Sequence, residues 1–146
     1  MVNVINLTTS KVDESFLVKI GRIVLDKEQA PENSEVSIVI SGENFIKNLN
    51  YKYRGKNRST DVLSFSVRES NDMPRNNTEI DDLGEIVVCL SEVKKNAKRD
   101  DVALEKELAM VVIHGILHLL GYDHEGTEEQ ARLMGEKEDK YFGEVI

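Results

Sequence analysis

The stretch His114-Gly115-Ile116-Leu117-His118-Leu119-Leu120-Gly121-Tyr122-Asp123-His124 holds all three histidines of the chain. His114 and His118 sit inside a run that starts at Val102 and repeats Leu104, Leu108, Val111, Val112, Ile116, Leu117, Leu119 and Leu120 at helical spacing. After Ala109 the run is apolar nearly all round, which predicts a helix buried at the centre of the fold. Each helical residue advances about 100°, so His114 and His118 project from one face, one turn apart. Gly121 fits the end of that helix, where φ > 0 is needed. Tyr122-Asp123 then carries the chain to His124.

Outward from this helix the chain divides into short elements. Upstream, Leu83 to Leu90 (LGEIVVCL) is a near-continuous apolar strand, expected to be central and covered on both faces. Glu85 stands out there, because a carboxylate in a buried strand is usually at its end or paired. Ser91 is placed to cap a helix to about Arg99, and Asp100-Asp101 to break it and cap the next. Downstream, Thr127 to Gln130 matches a capping box before a last helix carrying Ala131, Leu133, Met134 and Tyr141. In the first half, Val2 to Leu7, Glu35 to Ile40 and Thr60 to Val67 read as strands. A helix is expected from Val12 to Lys27, capped by Ser10 with Asp13 at its third position, and another from Glu43 to Tyr53. Arg68 to Asp81 is polar, contains Pro74 and is long for a structureless loop, which marks it as a flap or a functional loop.

A length of 146 residues suits one domain, 1–146, with a real core, and 40% hydrophobic with 32% charged residues is ordinary for a soluble protein. The single cysteine, Cys89, lies in an apolar run and reads as a buried small hydrophobe. Neither a signal peptide nor an apolar run near the roughly 20 residues of a membrane span is visible. A reducing, cytoplasmic location and no membrane partner are therefore expected. The net charge of -8 argues against nucleic-acid binding over the whole surface. Yet Lys47, Lys52, Arg54, Lys56 and Arg58 follow one another without an acidic residue, with Tyr51 and Tyr53 between them. That local patch is long enough to hold one anionic substrate group.

Three histidines spaced H-x3-H-x5-H, two of them within an apolar helix where desolvation is costly, point to a metal. Three imidazoles leave the fourth position of a tetrahedral ion open, the ligand count of a catalytic zinc site. Nickel, copper or iron would also accept imidazole. Such an ion lowers the pKa of a bound water toward ~7 or polarises a phosphoryl or carbonyl oxygen. The spacing H-x-x-x-H-x-x-G-x-x-H is that of the metzincin peptidases, whose second motif position is a glutamate base. Here that position is Gly115, which cannot take a proton. The metal cage is kept and the peptidase base is not.

The histidine stretch resembles the signature of the YbeY family, bacterial metal-dependent endoribonucleases of ribosomal RNA maturation. Leu49-Asn50-Tyr51-Lys52-Tyr53-Arg54-Gly55-Lys56, with Thr60-Asp61-Val62-Leu63-Ser64-Phe65, resembles a second block of that family, and Leu83-Gly84-Glu85-Ile86 a third. Ser59 and Ser66 stand where the family usually has proline. The resemblance implies a compact, zincin-like α+β fold. The segments above fill it as a mixed sheet of about four strands packed with helices, the central buried helix carrying the H-x-x-x-H pair. It also implies a metal, Zn2+ or another divalent transition ion such as Ni2+, on His114, His118 and His124, with Arg54 as the functional arginine. A guanidinium grips a phosphate bidentately and stabilises charge developing on it. Lys52, Lys56 and Arg58 are candidate RNA contacts.

The function so implied is cleavage of ribosomal RNA during small-subunit maturation and ribosome quality control. RNA is the partner, with the small subunit and assembly proteins beside it, and no DNA is expected. RNA carries its own nucleophile, the 2′-OH, so a glutamate base is not obligatory. Asp123 and Glu85 are the candidate acid/base or supporting carboxylates. Asp123 equally suits a turn residue beside Gly121, and Glu85 an ion-paired strand end. Two other readings compete: a non-catalytic ribosome-assembly factor with a structural metal, and a metal-dependent hydrolase of another substrate such as a peptide.

Overall fold

A computed structural model of the chain describes residues 1–67 and 80–146. Most of the polar stretch expected to be a flap or functional loop, Arg68 to Asp81, lies outside the described residues. The elements run β1 (Val2–Asn6), α1 (Glu14–Lys27), β2 (Ser34–Ser41), α2 (Glu43–Arg54), β3 (Val62–Ser66), β4 (Asp81–Cys89), α3 (Leu90–Asp100), α4 (Leu104–Leu119) and α5 (Glu128–Val145). The four strands form one sheet in the order β1-β2-β4-β3. β1 and β2, and β2 and β4, pair parallel, whereas β3 pairs antiparallel with β4 at the edge. The sheet is therefore mixed, as expected.

Strand pleat sorts the side chains into two layers. Val36, Ile38 and Ile40 of β2 and Ile86 and Val88 of β4 join the large core beneath α1 and α4. Val39, Val87 and Cys89 face the other way and pack with Leu63 and with Ile46 of α2. β4 is thus central and covered on both faces, and Cys89 is a buried free thiol. α4 is the buried helix that its pattern predicts: Leu108, Ala109, Val111, Val112, Ile113, Ile116, Leu117 and Leu119 are all buried.

Three glycines set features that matter for the site. Gly115 lies against the sheet, where a Cβ would come 2.9 Å from Cγ2 of Ile86. The helix is seated that closely on β4 because the residue has no side chain. Gly84 has φ +123°, and a Cβ there would lie 2.1 Å from the Phe65 carbonyl oxygen. It follows an irregularity in which Asp82 and Gly84 face the consecutive Glu35 and Val36, leaving Leu83 as the extra residue of a β-bulge. Gly121, at φ +104°, ends α4 as predicted. Its N–H donates to the His118 carbonyl and that of Tyr122 to the Leu117 carbonyl, each at 3.0 Å, which is a Schellman closure.

Side-chain capping follows the sequence pattern at α5 and departs from it at α1, α3 and α4. Thr127 and Gln130 form the reciprocal capping box at α5. At α1 the cap is Asp13, not Ser10: its carboxylate accepts from Phe16 N–H, and the helix starts at Glu14. Thr8 and Ser10 are instead held in a turn by the Asn6 side chain. Ser91 does not cap α3, which begins at Leu90 behind Cys89. Its hydroxyl donates to Glu43. Asp101 closes α3 in the left-handed conformation, and α4 starts behind Ala103 without a side-chain cap.

One carboxylate ties the far ends of the chain together. Glu28, at the end of α1, accepts hydrogen bonds from the Tyr122 and Tyr141 hydroxyls and pairs with Lys137 Nζ at 3.1 Å, with only 9% of its side chain exposed. Burial works to raise its pKa, but the three donors outweigh it and hold the carboxyl below its ordinary value of 4.5. The charged form is therefore favoured by folding. Its contribution is present above the unfolded-state pKa and disappears as pH falls through the lower folded-state value. Glu28→Gln is expected to destabilise the protein by about 2 kcal/mol at pH 7. That deficit should shrink below pH 4.5, the ordinary value of the carboxyl. Urea midpoints of both proteins from pH 3 to pH 7 would measure it, and a constant deficit across that range would contradict the charge argument.

Candidate metal centre and active site

α4 presents His114 and His118 one turn apart, and the Schellman turn returns His124 to meet them. The third histidine is thus on the connection between α4 and α5, beyond the helix that carries the pair. His114 Nε2 and His118 Nε2 are 3.1 Å apart, and His124 Nδ1 is 2.9 Å from His118 Nε2. Among the described residues this trio forms a group able to hold a metal ion, with all its ligand atoms within 4.8 Å of one another.

The outer nitrogens decide the tautomers. His114 Nδ1 is 3.0 Å from Glu138 Oε1 on α5, and His118 Nδ1 is 2.9 Å from the Tyr122 carbonyl. Carboxylate and carbonyl oxygens only accept, so both Nδ1 atoms carry the proton. With neither Nε2 protonated, the two atoms would turn lone pairs toward each other, an arrangement that a shared cation relieves. A tetrahedral ion with bonds near 2.1 Å would set its nitrogens about 3.4 Å apart, close to the spacings here. Burial, and then the neighbouring imidazoles, lower the pKa of His118, which keeps it neutral and available as a ligand. His124 is exposed, and its Nε2 is 3.7 Å from Glu125.

Around the histidines opens a cavity of about 580 Å³ whose other wall is the basic loop: Arg54, Lys56 and Arg58 line it. Arg54 stands at the end of α2 and donates from Nη2 to the Ser64 carbonyl at 3.2 Å. Gly55, at φ +70°, turns the chain away directly after it. Asn50 is buried within α2 and its amide donates to the Arg58 carbonyl at 2.9 Å, which fixes the loop from inside. Ser59, at a position where proline is usual in the resembled family, donates to Glu92. β3 closes the cavity floor, and the Ser64 hydroxyl donates to the Gly115 carbonyl at 3.2 Å, joining β3 to α4.

The structure thus brings together His114, His118, His124, Arg54, Lys56, Arg58 and Asp123. Asp123 lines the cavity and accepts from Glu125 N–H at 2.9 Å, which is the turn role. Lys52 does not line it. Two residues before Arg54 on a helix, it points about 200° away, and its Nζ lies 5.2 Å over the Tyr53 ring. Glu85 is not at the site either. It pairs in register with Phe65, on the α2 face of the sheet with Val87 and Cys89, whereas the histidines sit over the opposite face. It is exposed there, so the strand does not bury its carboxylate. Glu138 was not foreseen, and neither were the backbone carbonyls of Tyr122 and Ser64.

Comparison with known proteins agrees with this geometry. The family model described as Endoribonuclease YbeY matches residues 3–145. The chain belongs to the YbeY family. Relatives named Endoribonuclease YbeY include one from Petrotoga mobilis, 38% identical over 146 residues that cover 99% of this chain and 95% of the relative. Another, from Desulforamulus reducens, is 37% identical over 131 residues, covering 88% and 85%. A solution structure of a Thermotoga maritima protein superposes with a TM-score of 0.66 at 34% identity, covering 99% of this chain and 89% of that one. Membership in the YbeY family accounts for all three sequence blocks, of which the histidine stretch and the segment from Asn50 to Ser64 line the cavity. No helix among the described residues is long and apolar enough to cross a membrane.

Proposed function

We propose that this chain cleaves RNA in the cavity between the three histidines and Arg54. Its family makes it a metal-dependent endoribonuclease of ribosomal RNA maturation. The observation that carries the site assignment is the convergence of three imidazoles and three basic side chains on one cavity. His114, His118 and His124 hold the ion, which we take to be Zn2+, with Ni2+ as the other fit to an all-nitrogen donor set. When bound, a divalent ion there supplies Lewis acidity next to the scissile phosphodiester. Glu138 and the Tyr122 carbonyl aim two of the rings by accepting their outer protons. Arg54 grips the phosphate and stabilises the charge that builds on its oxygens. Lys56 and Arg58 attract the neighbouring phosphates and counter the net charge of -8 locally. The 146 residues form one zincin-like domain in this reading, acting in the cytoplasm on small-subunit precursor RNA, alongside the small subunit and its assembly proteins.

Arg54→Glu is the sharpest test. Arg54 is exposed and, among the described residues, its side chain bonds to a carbonyl, so the variant should fold and bind metal like the parent. Cleavage of a structured ribosomal RNA fragment is expected to fall at least ~100-fold, the scale of losing one charge-stabilising donor in a transition state. Arg54→Lys should recover only part, since an ammonium cannot engage two phosphate oxygens in a fork. Undiminished cleavage by Arg54→Glu would overturn the assignment.

A further inference from the structure

Tyr122 serves two partners at opposite ends. Its carbonyl accepts from His118 Nδ1 at 2.9 Å, and its hydroxyl donates to Glu28 Oε1 at 2.5 Å. Glu28 is 94 residues away in sequence, at the end of α1, and is absent from the lining of the metal cavity. The turn that Tyr122 belongs to has little else to hold its side chains. Gly121, Asp123, His124 and Glu125 are exposed, and Tyr122 alone among them is half-buried against the main core. On the far side, Tyr141 and Lys137 of α5 fill the other carboxylate oxygen of Glu28. Two donors from α5 thus hold the carboxylate independently of the turn, which makes it an anchor for the Tyr122 hydroxyl.

We propose that Glu28 is a positioning residue of the metal centre. Through the Tyr122 hydroxyl it fixes the carbonyl that holds His118 in its metal-ready tautomer, and with it the turn that delivers His124. The hydrogen-bonding roles suit this: a carboxylate only accepts, so the Tyr122 hydroxyl gives its proton to Glu28 while the carbonyl of the same residue accepts from His118. The proposal rests on the three-histidine metal reading, and its readout is metal affinity, with RNA cleavage left aside.

Tyr122→Phe and Tyr141→Phe each remove one hydroxyl from Glu28, but only the first cuts the link to the histidine turn. Zinc affinity of the full chain, measured by competition with a chromophoric chelator, is expected to drop about 10-fold in Tyr122→Phe, the lower end of losses for groups behind a ligand. Tyr141→Phe should stay within about 2-fold of the parent, although it loses a comparable contact. Adding Glu28→Gln to Tyr122→Phe should cost little further affinity, because the link is already cut. Parental affinity in Tyr122→Phe, an equal drop in Tyr141→Phe, or a fully additive double variant would each overturn the proposal. A parent chain that binds no zinc, nickel or other divalent ion would instead overturn the metal reading, and this one with it.

Discussion

His118→Ala is expected to lose both the metal and RNA cleavage while keeping the fold. In the proposed site His118 is the middle residue of the trio: its Nε2 is the atom that both other rings approach, at 3.1 and 2.9 Å. Without it, His114 and His124 face each other across a gap and offer two nitrogens, below the three of a catalytic zinc site. Losing a group behind a ligand costs 10–100-fold in metal affinity, so losing the central ligand should cost on the order of 10³-fold or more. The ring is half-buried and its outer nitrogen meets a backbone carbonyl of an exposed turn, so the helix itself should survive. Elemental analysis after dialysis, circular dichroism and cleavage of a ribosomal RNA fragment would check the three parts. Stoichiometric zinc with full cleavage in His118→Ala would refute the site. Stripping the parent with a chelator separates the remaining roles. A stripped chain that stays folded but stops cutting has a catalytic metal, whereas one that unfolds has a structural metal.

The second large effect belongs to Gly84, which is not part of the cavity lining. Its φ of +123° disfavours every L side chain, and an alanine Cβ would be driven to 2.1 Å from the Phe65 carbonyl. That carbonyl is backbone in the paired edge strand, so relief requires β3 to move. Backbone strain of this kind costs of order 1–3 kcal/mol, and disrupting the strand pairing adds to it. Gly84→Ala is therefore expected to destabilise the protein by about 4 kcal/mol, which lowers Tm by roughly 10 °C for a chain of this size. Activity should also fall in the fraction that remains folded, because β3 carries Ser64, which meets both Arg54 and Gly115. Thermal unfolding beside cleavage assays below the transition would show it. A variant as stable as the parent would mean that β3 accommodates the side chain.

How much of this was readable from the residues alone varies with the kind of interaction. The histidine trio was legible because histidines are rare here and the apolar helix around them fixes their phase. Gly121 and the Thr127–Gln130 box were legible because each is a local device with its own spacing. Glu138 was not: it lies in Glu136-Lys137-Glu138-Asp139-Lys140, a run that reads as a solvated helix face. Only the crossing of α5 over α4 singles it out. The Tyr122 and Ser64 carbonyls have no letter of their own in a sequence. The face on which Glu85 lies is not legible, because an apolar strand covered on both faces does not say which face carries the histidines. The Asp13 cap was missed because Thr8, Thr9, Ser10 and Asp13 are all competent caps, and the Asn6 turn that occupies two of them depends on geometry.

The capping box at Thr127 has a consequence for how this chain can change length. α5 starts at a fixed point, and Glu138 reaches His114 from 11 positions beyond Thr127, three turns along. One residue inserted between them would swing Glu138 about 100° around the axis and shift it 1.5 Å, off the imidazole. Every side chain could be kept and the contact would still be lost. The interval from cap to carboxylate acts as a ruler, so this part of the family should tolerate substitutions far more readily than insertions or deletions.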